Sequence, residues 1–159
     1  MEERVVAGYG LRFAGWLLDT LVLGLLGLAL RLVGVTDTSR AITFEVLFAI
    51  NAIVLVAWLG GNVGNLIVGT EVVVADDATR PHLGRAAVRW GVIQIPILVA
   101  SIFGAWWVAP LWWIPVYGAI LVTPLRQGLH DRAASVVVVD RRGGGRRWSL
   151  TNLADRVRR

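Results

Sequence analysis

The sequence predicts an all-α membrane protein: a bundle of four transmembrane segments with a small cytoplasmic two-stranded β cap. In that reading the last two segments are short and form a hairpin broken by Pro and Trp. Three observations predict it. The 159 residues are 56% hydrophobic and only 17% charged, with a mean hydropathy of +0.65, against about 45–50% apolar and about 25% charged in soluble domains. The apolar residues gather into three long stretches. All sixteen basic residues are Arg, and nine of them fall in the last 34 residues. A greasy body with a basic end excludes a disordered chain or a disulfide-stapled secreted one.

The first stretch runs from Leu11 to Val35 and the second from about Ala41 to Gly60. Each provides the roughly 20 apolar residues that an α-helical crossing needs. The polar link Thr36-Asp37-Thr38-Ser39-Arg40 turns them into an antiparallel hairpin. The third stretch, Gly91 to about Leu125, is too long for one helix in a hydrocarbon core of about 30 Å. Its centre, Gly104 to Trp113, sets four Trp around Pro110. Trp favours the interface and Pro breaks helices, so two short helices are predicted, about 91–107 and 111–125. Four crossings put the N-terminus, the 61–90 loop and the Arg-rich C-terminus on the cytoplasmic side, as the positive-inside rule requires. No cleavable signal peptide is expected, because Asp19 interrupts the first apolar run and no small-residue cleavage site follows it.

Two β-branched runs, Val72 to Ala75 and Ser135 to Val139, each lie just beyond a membrane segment. Their backbone groups need partners, so they are expected to pair as the cap. The glycines from Gly60 to Gly69 lack the GK[ST] of a phosphate loop and read as sites of close packing or bending. Asp76-Asp77 reads as a solvated turn.

The opening GYGLRFAGWLLDTLVLG resembles that of the RDD family of small bacterial membrane proteins, named for one Arg and two Asp. Arg12 and Asp19 match its first two positions, and PLRQGLHDRAASVVVVD places the second Asp at Asp131. The middle element GGNVGNLIVGTEVVVADD carries the expected glycines and valines, with Asn65 where the family usually has Lys. The resemblance covers about residues 7–140. It implies a multi-pass protein of the bacterial cytoplasmic membrane, a family for which transport of a ligand or ion has been suggested. The chain then divides into a transmembrane domain, 1–140, and an Arg-rich cytoplasmic tail, 141–159.

The scarce polar residues of the spans are the candidate site. Asp19 is mid-helix, where a charge costs about 2.5–3.5 kcal/mol and needs a partner or a wet cavity. Its expected partners are Asn51 or Gln94. Asp19 reads either as a cation or proton site or as one part of a hydrogen-bonded staple between helices. Arg12 lies two turns before Asp19 and leans toward the N-terminus, so it is expected to meet Asp131 or the carbonyls near His130-Asp131, where His130 reads as packed or hydrogen-bonded in the interface or as a proton relay.

No cofactor or metal site is expected: Cys is absent and the two His are far apart in sequence. No nucleophile–base pair is recognisable, so an enzyme is the least favoured class. The partners expected are the lipid bilayer, anionic lipids at the Arg-rich tail, and a second copy or another membrane protein. In the tail, Leu150, Leu153 and Val157 share one helical face and each Arg near an anionic leaflet adds about 1 kcal/mol. Nucleic acid is not expected, since Trp148 is the tail's one aromatic residue. The functional reading is a small oligomeric transporter or ion or proton exchanger using Asp19; the alternative is an accessory subunit of a larger membrane complex.

Overall fold

The computed structural model describes residues 5–105 and 107–142. The lipid-anchoring helix predicted in the tail lies outside the described residues. In chain order the elements are β1 (Val5–Val6), α1 (Tyr9–Leu32), α2 (Asp37–Leu59), α3 (Val63–Val68), β2 (Thr70–Val74), α4 (Leu83–Ile102), α5 (Val108–Val122), α6 (Leu129–Ala133) and β3 (Val136–Asp140). Helices α1, α2 and α4 are long and apolar enough to cross a membrane, and α5 is a shorter apolar helix. Most of their large apolar side chains face outward, as lipid-facing surfaces do. Leu25, Leu28, Ile42, Ile102 and Val122 are all exposed.

The α1–α2 hairpin turns at Gly34, whose φ of 80° suits glycine. Helix α2 then starts on Thr36, whose hydroxyl accepts the Ser39 N–H. Residues Ile50–Leu55 of α2 form a π-helical segment, a local widening often found at functional positions. It contains Asn51.

The predicted break of the third apolar stretch is corrected. Helix α4 begins eight residues before Gly91, at a His82 cap whose ring accepts the Gly84 N–H at 3.1 Å. It turns at Phe103–Gly104, where Gly104 takes φ 71°, and not at Pro110. Pro110 lies in the first turn of α5, where backbone N–H groups have no intrahelical acceptor and their loss costs little. Pro96, inside α4, leaves the Val92 carbonyl without its usual donor. The Trp112 indole N–H of α5 donates to that carbonyl at 2.9 Å, joining the two helices where the backbone is incomplete.

The cap is also corrected, from two strands to three. The order is β1-β3-β2, antiparallel throughout, with Val5 opposite Asp140 and Val72 opposite Val138. The valine runs are uninterrupted because both faces are buried. Val72, Val136 and Val138 pack with Val56 and Ala86 of the helices, while Val6, Val73, Val137 and Val139 pack beneath Leu125.

Candidate functional site

Three polar clusters follow one another along the bundle. The first is beside the sheet. Asp131, wholly buried in α6, takes the Arg89 Nε on Oδ1 at 2.8 Å and the Arg12 guanidinium on Oδ2. Its Oδ2 also accepts the Gly128 N–H at 3.2 Å, and His130 Nε2 lies 3.2 Å from Oδ1. Burial alone would raise the Asp131 carboxyl, but His130 and the two guanidiniums hold it well below the usual carboxylate range. Burial pushes the His130 imidazole down to about 4. It is therefore neutral near pH 7, and the charge that keeps Asp131 ionised comes from Arg12 and Arg89. Two guanidiniums share one carboxylate, and Arg12 Nη1 is buried without a hydrogen-bond partner among the described residues.

The second cluster surrounds Asp19. Its Oδ1 accepts the Asn51 side-chain amide at 3.0 Å and the Gly64 N–H at 2.8 Å. Asn51 Oδ1 in turn accepts the Val63 N–H at 2.9 Å, and Asn62 accepts the Asn65 N–H at 3.0 Å. The first free N–H groups of the short helix α3 are thus all satisfied. Glycine is required for this approach: a Cβ at Gly64 would lie 1.9 Å from the Gly15 carbonyl oxygen of α1. Asn65 is buried, and its side chain sits 3.0 Å from the place of a Cβ on Gly15. Among the described residues, Asp19 has no ion-pair partner.

The third cluster is a single pair. The Gln94 amide donates to both oxygens of Glu45, at 3.0 Å each. Gln94 is therefore not a partner of Asp19, which corrects that expectation. Each member of the pair is eight residues from the far end of its helix, Glu45 from Asp37 and Gln94 from Ile102. The two consequently meet at one depth.

The fold brings Arg12, His130 and Asp131 together, and Asp19 with Asn51, as the sequence reading expects. Arg89, Gly64 and Glu45 join these clusters, and that reading did not place them there. The sequence reading places Arg89 in the 61–90 loop, and the signal that moves it into a helix is the His82 cap. Asp76-Asp77 forms a turn: Asp77 Oδ1 accepts the Thr79 N–H at 2.9 Å and its hydroxyl at 2.7 Å, which lowers the Asp77 carboxyl.

A carboxyl bound by a guanidinium is fixed in its ionised form. A carboxyl bound by a carboxamide is not, because an amide both donates and accepts. By that criterion Asp131 is a fixed charge, whereas Asp19 and Glu45 sit with neutral partners inside apolar helices. The family model described as the RDD family matches residues 6–135. No curated protein and no solved structure matches the chain.

Proposed function

Because the chain belongs to the RDD family of small membrane proteins, we propose that it is a small ion or proton exchanger with Asp19 as the carrier carboxylate. The observation that carries this reading is that Asp19, an acid buried mid-helix, is hydrogen-bonded by an amide and a backbone N–H, with the Arg89 charge acting on it from beyond ion-pair distance. Ionisable groups inside membrane spans mark ion and proton paths. Arg12, Arg89 and Asp131 guard the end beside the sheet; the Arg distribution favours a cytoplasmic position for that end, and the family resemblance favours a bacterial plasma membrane. In this reading α5 crosses as a fourth segment. Four crossings are few for alternating access around a midplane site, so the working unit is a homo-oligomer.

The test is ion or proton flux in proteoliposomes. Asp19→Asn keeps an oxygen for both hydrogen bonds but cannot carry a charge. It is expected to fold and to lose flux; full activity in the folded variant rejects the reading.

A second reading, an accessory subunit of a larger complex, is favoured by one observation. The Asp19 oxygen that accepts from Gly64 sits at the start of α3, which is also what a purely structural cap would do. Purification in mild detergent separates the readings: unrelated subunits in a stable complex favour the accessory role, and a complex of this chain alone favours exchange.

A further inference from the structure

An open cavity of about 330 Å³ lies between α1 and α2, lined by Gly27, Asp37, Arg40, Ala41, Phe44 and Glu45. It is at the end of the bundle away from the sheet, near the α1–α2 turn. Asp37 and Arg40 are ion-paired with each other, so their charges cancel. Glu45 is eight residues further along α2, about 12 Å deeper at 1.5 Å per residue. It is bound by the neutral Gln94 amide. An ionised Glu45 therefore gives the cavity one net negative charge. Its remaining walls are the Phe44 ring, Ala41 and the bare backbone of Gly27, where an added Cβ would meet nothing within 4 Å.

This chemistry selects an occupant. Hard metal cations want about six oxygen ligands, but this cavity provides two carboxylates, one paired with Arg40 and the other shared with an amide, and the described residues contain no group of three or more metal-binding side chains. The volume is also far larger than a bare ion. An apolar wall with an aromatic ring beside a half-buried carboxylate held by a neutral amide suits a weakly hydrated organic cation, which gains from both the ring and the carboxylate. We propose that the cavity binds a small alkylammonium-type monocation, its charge against Glu45 and its carbon shell against Phe44, Ala41 and Gly27. The site is separate from Asp19 and stands independently of the exchanger reading.

Tetramethylammonium chloride is the probe, titrated calorimetrically into the purified full chain in an uncharged maltoside detergent, with sodium chloride at equal ionic strength as control. Saturable binding of tetramethylammonium and not of sodium is expected. Glu45→Gln should weaken it at least about tenfold, or about 1.4 kcal/mol. Gly27→Leu should do the same by filling the cavity while leaving every charge in place and the melting temperature unlowered. Asp19→Asn should bind as the wild type does. Repeating the titration in phosphatidylcholine and phosphatidylglycerol nanodiscs identifies the source of the cation. Loss of binding only in phosphatidylcholine means that a choline headgroup fills the site, and binding in both means a free cation. The proposal is overturned if the wild type binds no tetramethylammonium, if sodium binds equally, or if Glu45→Gln and Gly27→Leu leave binding unchanged.

Discussion

The Gly64 backbone N–H reaches the Asp19 carboxylate at 2.8 Å because Gly64 lies against the Gly15 carbonyl with no room for a side chain. One glycine thus sets both the approach of α3 to α1 and the position of the buried acid. Gly64→Ala would set its Cβ 1.9 Å from a backbone oxygen and 3.0 Å from the Asp19 carboxyl carbon, and backbone cannot yield cheaply. A loss of about 1–3 kcal/mol or more is expected, read as a lower melting temperature in detergent. Gly24→Ala, on the same helix as Gly15 but with open space around it, should be neutral or gain up to about 1 kcal/mol from helix propensity.

The two acids of the family signature should respond differently to the same change. Asp131→Asn leaves two guanidiniums with one neutral acceptor, and breaking a buried ion pair costs about 3–5 kcal/mol. Asp19→Asn keeps both hydrogen bonds on Oδ1 and should cost far less. Thermal unfolding of both variants, side by side, checks the ordering.

Acid should destabilise the fold in two steps. His130 titrates near 6.5 when unfolded but near 4 when buried. Between those values the unfolded chain takes up a proton that the native state refuses, so stability falls as pH drops from about 6.5 to about 4. Asp131 has a lowered native value, so its contribution is present above about 3.8 and is lost as pH falls further. In melting temperatures measured from pH 8 to pH 3, His130→Gln should flatten the upper step and shrink the lower one to the part that Arg12 and Arg89 supply.

Trp112 and Pro96 should be coupled. Trp112→Phe removes the donor to the Val92 carbonyl, leaving a buried acceptor unpaired at about 1–3 kcal/mol. Pro96→Ala restores the backbone N–H that a regular helix would supply. In that background Trp112→Phe should cost measurably less, and a double-mutant cycle with zero coupling would refute the compensation.

The sequence made Arg12, Asp131 and His130 legible because the two signature elements carry them in a fixed order. Asp19 and Asn51 were legible because each stands out as polar near the middle of an apolar run. Arg89 was hidden by its neighbourhood: Gly84, Arg85 and Arg89 look like loop, and only the His82 cap starts the helix early enough to bury it. Gln94 was legible as a buried polar group but not in its partner, because small errors in a helix start rotate every side chain that follows. The third strand was hidden for another reason. Val5–Val6 is two residues long and gains its structure wholly from β3, far away in sequence.

The strand order gives the chain a sequence of assembly. β3 is the last of the three strands to be synthesised, yet it is the central one, with β1 and β2 bonded to its two edges. Neither edge strand has a sheet to join until every helix between Tyr9 and Ala133 has been made. Pairing residue 5 with residue 140 closes a loop around the whole bundle, the kind of distant contact that forms late. The sheet therefore completes only on a chain whose helices have all been made, and it ties the strand that leads into Arg12 to the strand that follows Asp131.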